Sequence, residues 1–249
     1  MTLSQEELPC GTTLLGVVLS SDKTNISVMS GNHVAHLVLI NLQVVNIDAH
    51  IHCKTSLHGY LLLALLPIAK FTHKSTRIRS LLQDRLVHQA LNIVLSPLKT
   101  MAAVGIMMSD PVGNLRYCFT PLALWIADTP EESLLAAMGP KVSPVTTALS
   151  KHFGDPHRHP PRTAEKTVIA IRTACSKYSP KDYKNFLKAV CLLGLNGVVE
   201  PVWMGWALSI VFKSPVRSGF LAPKQRNRRP VLGKSPEPAT GNWTSKNRS

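Results

Sequence analysis

This chain has no secretory start, no thiolate zinc motif and no apolar run of membrane-spanning length. Its first residues, MTLSQEELPCG, place Glu6 and Glu7 where an export signal carries basic and then apolar residues, so secretion is not expected. Five cysteines, Cys10, Cys53, Cys118, Cys175 and Cys191, are odd in number and widely spaced without a CxxC pair, which fits reduced thiols and excludes a disulfide frame. The apolar stretches 60–69 and 198–212 fall short of the roughly 20 residues a spanning helix needs, and Glu200 interrupts the second; both read as buried core. Without an export signal, the glycosylation patterns at Asn25 and Asn242 are chance matches. No internal repeat is visible.

Acidic residues are the other scarcity. Asp plus Glu number 14 against 28 Lys plus Arg, giving a formal charge of +14 and a pI near 9.9, a balance that favours a polyanionic partner, nucleic acid first. With 45% hydrophobic and 17% charged residues in 249, most of the chain is expected to fold. The exception is 213–249, where Pro, Gly, Ser and Asn dominate and nine basic residues face Glu237 alone; too few apolar groups remain to offset chain ordering, so this tail is expected to be disordered.

Along the body, 13–19 (TLLGVVL) reads as a buried strand that delivers Asp22 at its C-terminal end. Residues 26–29 and 34–42 read as antiparallel strands around a Gly31-Asn32 turn, because such turns need positive φ. From 74 to 98, Ile78, Leu81, Leu82, Leu86, Ala90, Leu91, Val94 and Leu95 recur at helical intervals, with Arg77, Arg79, Asp84 and Arg85 on the other faces and Ser96-Pro97 as the stop. A hairpin is predicted over 105–108 and 116–120 around the turn 110–114. The run 122–127 (LALWIA) reads as a second buried strand delivering Asp128, followed by a helix with Thr129 as cap, Pro130 at its first position and Glu131 and Glu132 in its first turn. Three prolines make 155–162 (DPHRHPPR) an irregular connector, and helices are expected over 163–177 and 181–193.

Three strands, a helix, a hairpin and a strand ending in a second Asp are compatible with an RNase H-like α/β fold, in which carboxylates at neighbouring strand ends share a divalent metal. Against this stands the ordinary role of an Asp at such a place, a turn residue for Asp22 and a helix cap for Asp128. His152, Asp155, His157 and His159 include common zinc ligands, yet the spacing equally suits a loop of solvated histidines. Nearby Arg158, Arg162 and Lys166 are candidate phosphate anchors. Lys224, Arg226, Arg228 and Arg229 read as a short nuclear localisation signal or a salt-sensitive nucleic-acid arm.

Several motifs, in order, resemble one family. They are Leu19-Ser20-Ser21-Asp22-Lys23-Thr24, the turn Ser30-Gly31-Asn32, the stretch 59–67, Cys118-Phe119-Thr120-Pro121-Leu122-Ala123 and Ile126-Ala127-Asp128-Thr129-Pro130-Glu131. Then come Ser143-Pro144-Val145-Thr146, Phe153-Gly154-Asp155-Pro156, Arg158-His159-Pro160-Pro161-Arg162-Thr163 and Leu195-Asn196-Gly197-Val198. Together, over about residues 8–206, they are similar to the transposase segment of Plavaka elements of fungi. The resemblance implies a DDE transposase: an RNase H-like nuclease that cuts and joins transposon ends with carboxylates and Mg2+ or Mn2+, here Asp22 and Asp128 as the first two acidic ligands and metal ligands. The domain expectation is then a partial RNase H-like core over 1–139 and a helical insertion-like segment over 140–212, followed by the disordered basic tail over 213–249 that composition marks out.

Two departures shape the expectation. The family continues well beyond the equivalent of Trp206, and its third acidic ligand lies in that portion; Glu200 matches no family acid. Residues 42–56 lack the basic, proline-containing segment expected there, and a displaced reading frame or splice junction accounts for both departures. The expectation is therefore an incomplete mixed sheet with flanking helices, in a truncated, inactive fragment of nuclear or cytoplasmic location that binds DNA nonspecifically, with weak metal binding and no membrane association. An active nuclease or transposase subunit and a noncatalytic basic binding module are the competing readings.

Overall fold

A computed structural model describes residues 9–27, 33–41, 56 and 60–206. The Gly31-Asn32 turn, nearly all of the departing stretch 42–56 and the tail 213–249 lie outside the described residues. The strands are β1 (Thr13–Leu14), β2 (Val17–Ser27), β3 (His33–Asn41), β4 (Tyr60–Leu66), β5 (Ile106–Ser109), β6 (Leu115–Phe119) and β7 (Leu122–Ile126). The helices are α1 (Thr76–Val94), α2 (Ser96–Val104), α3 (Thr129–Leu135), α4 (Ala164–Lys177) and α5 (Tyr183–Leu192), with a 3-10 turn at Ser150–His152. The result is a mixed α/β architecture with helices beside small sheets.

The larger sheet has the order β4-β3-β2-β7, antiparallel from β4 to β2 and parallel between β2 and β7. The smaller has the order β1-β6-β5, again with one parallel pair, β1 with β6. These two parallel pairs are successive parts of one ladder. Leu15 N–H donates to the Phe119 carbonyl and Val17 N–H to the Pro121 carbonyl, so 13–20 runs beside 118–126 and the ladder breaks at Thr120-Pro121. Proline has no N–H to give to a ladder, which locates the break.

Two sequence expectations are corrected here. The strand read over 13–19 is divided between β1 and β2, and β2 continues through Ser27, so Asp22 lies within a strand and not in a turn. The polar run SSDKTN is a poor strand former by composition; it is held extended by rungs to β3 from Val18↔Asn41 through Ser27↔His33. The helix expected to stop at Ser96-Pro97 instead passes at Leu95 into a second helix, with Pro97 in its first turn. Proline is tolerated there because the first N–H groups of a helix have no intrahelical acceptor. Gly105 ends α2 at φ 75°, and a Cβ there would meet the Tyr117 ring at 2.8 Å.

Two apolar clusters flank α1. The first joins Val17, Leu19, Leu122 and Trp125 of the sheet to Val87, Leu91 and Leu95, and the returning residues Val202, Trp203 and Trp206 complete it. In the second, Leu81 packs with Ile171 and Ala174 of α4, Phe186, Leu187 and Val190 of α5, and Met138, Val142 and Leu195. Both faces of α1 are thus in use, and Asp84 and Arg85, expected on outer faces, are half-buried. The run 60–69, expected to be buried, is only partly so: Leu66 is buried, but Leu61, Leu62 and Leu65 are exposed on β4. No helix among the described residues is long and apolar enough to cross a membrane.

Candidate functional site

The parallel rungs of β2 and β7 run from Val17↔Leu122 to Ser20↔Ile126. Continuing both chains by two residues from the last rung reaches Asp22 on β2 and Asp128 just after β7. Strand pleating explains the setting of Asp22. Leu19 and Ser21 alternate with it along β2 and are buried, Ser21 Oγ accepting a 2.9 Å hydrogen bond from Trp125 Nε1, while Asp22 is exposed. Across the other edge of β2, Asp22 is paired with Leu37 of β3.

Asp128 is also exposed, and it caps α3: its Oδ1 accepts the Glu131 N–H at 2.9 Å. The sequence placed the cap one residue later, at Thr129; the structure makes Thr129 the first helical residue and gives the cap to Asp128, whose backbone is extended at φ −76° and ψ 166°. Capping engages one carboxylate oxygen. An ionised carboxylate offers about four lone-pair sites, so capping and metal ligation are compatible on one side chain.

Glu131 and Glu132, expected as solvated first-turn acids, are buried at 7% and 6% exposure. Burial raises the Glu132 carboxyl to about 7, and its Oε1 has no hydrogen-bond partner among the described residues. Two further groups were misjudged from the sequence, half-buried Asp84, expected on an outer face, and buried His88, not singled out, although their spacing carried a signal. Asp84 and His88 stand at helical intervals from Leu81, Leu91 and Leu95, so they share the inward stripe of α1. Burial pushes Asp84 up to about 7 against a hydrogen bond from Asn196, and pushes His88 down to about 4. His88 Nδ1 accepts from Val202 N–H at 2.9 Å, so Nε2 carries the hydrogen and donates to the Leu134 carbonyl at 3.0 Å. This neutral imidazole ties α1 to α3 and to the returning segment.

Arg85 is fixed by donation to the Gly197 and Pro180 carbonyls, both at 3.0 Å, and lies over the rings of Tyr183 and Phe186. It borders a cleft of about 840 Å3 together with His88, Asn92, Lys181 and Glu200.

Of the candidate phosphate anchors, Arg158 and Lys166 are exposed, whereas Arg162 is half-buried and donates from Nε to the Ser143 carbonyl at 3.2 Å. Lys224, Arg226, Arg228 and Arg229 lie outside the described residues. The connector 155–162 contains no helix or strand, as its prolines predicted, and it gathers Asp155, His157 and His159, whose ligand atoms all lie within 4.8 Å of one another.

A family model described as Plavaka transposase matches residues 1–216. No curated protein and no solved structure matches the chain.

Proposed function

The chain belongs to the Plavaka transposase family, and from that premise we propose that it is a transposon-derived DDE-type chain in which Asp22 and Asp128 are the first two acidic ligands of a divalent-metal site. The observation that carries this reading is the parallel ladder: Ser20↔Ile126 is its last rung, and each aspartate follows it by two residues, Asp22 within β2 and Asp128 just after β7. A sheet of order β4-β3-β2-β7, antiparallel and then parallel at β7, supports an RNase H-like core.

The donor set fits Mg2+ or Mn2+, since both aspartates are exposed carboxylates and hard cations take oxygen ligands. Bound there, such an ion supplies Lewis acidity at a phosphate and lowers the pKa of a bound water. The residues themselves do the positioning. The β2 ladder holds the backbone of Asp22, and the α3 cap holds Asp128.

No third acidic ligand is assigned among the described residues, so the proposed chain binds metal weakly and does not perform strand transfer, because charge neutralisation at the phosphate needs the complete ligand set. What remains is nonspecific, salt-sensitive DNA retention through exposed cations, Arg158 and Lys166 in the body and the basic residues of 213–249, the latter also a nuclear address. Nicking of supercoiled DNA in Mg2+ or Mn2+ tests this. The expected result is DNA retention without cleavage, with retention falling after deletion of 213–249. Metal-dependent cleavage lost in both Asp22→Ala and Asp128→Ala establishes the competing reading of an active nuclease.

A further inference from the structure

Asp155, His157 and His159 occur at alternate positions of a short loop that bends at Pro156 and His157, and their ligand atoms lie within 4.8 Å of one another. The prolines restrict its backbone. Asp155 precedes Pro156 and His159 precedes Pro160, and proline disfavours the helical region for the residue before it. Gly154, at φ 109°, makes the turn that starts the segment.

Both ends of the loop are anchored. On one side Asp155 N–H donates to the His152 carbonyl at 3.2 Å, and His152 Nδ1 accepts from Leu149 N–H at 3.3 Å. On the other, Thr147 N–H donates to the Pro160 carbonyl and Arg162 N–H to the Val145 carbonyl, each at 2.9 Å. Within this frame Asp155 Oδ2 lies 2.9 Å from His159 Nε2 and 3.9 Å from His157 Nε2, and the two imidazoles are 4.8 Å apart at their centroids. Tetrahedral zinc with ligand bonds of roughly 2.0–2.1 Å needs ligand atoms about 3.3 Å apart, so small side-chain rotations bring all three to one centre. The His152 ring stacks on His159 at 5.2 Å and 26°, which restrains the ring that must turn least.

We propose that Asp155, His157 and His159 form a three-ligand zinc site, independent of the Asp22 and Asp128 carboxylates, with the fourth coordination position open to water. Zinc takes the place of the hydrogen between His159 Nε2 and Asp155 Oδ2, and the imidazole stays neutral with its hydrogen on Nδ1. Mixed nitrogen and oxygen donors select zinc over magnesium, which prefers oxygen alone.

The test is calorimetric titration of the full chain with Zn2+, repeated with Co2+ to read the ligand-field absorption of a tetrahedral centre. Four proteins are compared: the native chain, a His157→Ala/His159→Ala variant, Asp155→Asn, and an Asp22→Ala/Asp128→Ala variant. Expected are one equivalent bound by the native chain and by the aspartate-pair variant, weakened binding in Asp155→Asn, and loss of both the isotherm and the Co2+ bands when the two histidines are removed. The Tm shift on adding Zn2+ is read within each protein, because His159 is half-buried and its removal also changes the metal-free melt; a Zn2+-induced rise in Tm should occur only where the ligands are intact. No binding by the native chain, or unchanged binding without His157 and His159, overturns the proposal and leaves an ordinary Asp155–His159 hydrogen bond.

Discussion

Asp22 and Asp128 come from distant parts of the sequence and each follow the last rung of the β2–β7 ladder by two residues, whereas Asp155, His157 and His159 follow one another along a single proline-flanked loop. The first arrangement inherits its geometry from a ladder and from the core beneath it. The second is set mainly by local backbone restriction, with a few hydrogen bonds at its ends. A perturbation of the core should therefore separate the two aspartates before it scatters the loop ligands, and a perturbation of the prolines should do the reverse.

The strongest way to break this contrast is Trp125→Ala. Trp125 is 1% exposed, pairs with Leu19 across the ladder and donates to Ser21 Oγ. Its truncation should cost about 3–5 kcal/mol in denaturant unfolding. Mg2+ or Mn2+ binding at the aspartates should disappear under conditions where Zn2+ binding at the loop persists; equal loss of both shows that the loop depends on the same core.

Next in size is Glu132→Gln, which removes a buried charge beside the Asp128 cap. The Glu132 carboxyl lies at about 7 in the folded chain against an ordinary 4.5, and Asp84 at about 7 against 3.8. In both, the folded state holds the proton more tightly than the unfolded state, so their stabilisation is lost as pH rises through the interval from the ordinary value to about 7. His88, at about 4 against 6.5, acts oppositely, and stability is lost as pH falls through 6.5 towards 4. Two carboxyls against one imidazole predict a net decline in stability from about pH 4.5 to 7. Glu132→Gln should leave Asp84 and His88 to offset one another, flatten that slope and, after allowance for solvent screening, raise stability at pH 7 by roughly 2–3 kcal/mol. Thermal melts across this range provide the measurement, and an unchanged slope assigns the decline elsewhere.

A smaller effect separates the two roles of Asp128. Asp128→Ala should lose the cap at a cost of about 1 kcal/mol, while Asp128→Asn should keep it within a few tenths of a kcal/mol. Divalent-metal binding should fall in both. If the Asp128→Asn variant binds Mg2+ as the native chain does, Asp128 is a helix cap and nothing more. The smallest change per site is expected for Pro156→Ala and Pro160→Ala. Greater freedom of the unfolded chain should cost about 0.4–1 kcal/mol per site, with weaker Zn2+ binding and no effect on the aspartate pair.

Elements whose signals are local were legible in the sequence. The hairpin of β5 and β6 was found from its turn, where Asp110 Oδ1 accepts the N–H groups of Val112 and Asn114; β7, α4 and α5 were found from short apolar patterns and polar starts. Misreadings arose where a distant partner decides the outcome. SSDKTN reads as the end of a strand because its residues are polar, yet β3 supplies the rungs that keep it extended. Ser96-Pro97 reads as a stop, and is also what a helix start looks like. Asp84, Arg85 and His88 read as an outer face or went unnoticed, because a second apolar cluster covers the side of α1 that one stripe leaves open.

By itself the sequence determined the positive charge, the breaks imposed by proline and glycine, the segments able to pack, and the family to which the motifs belong. These depend on residue type and near neighbours. Only the tertiary structure decided that Asp22 and Asp128 each follow the last rung of a parallel ladder by two residues, and that Glu131 and Glu132 turn inward. Register and burial are relations between segments, and each is fixed by hydrogen bonds and packing that form only when distant parts of the chain come together.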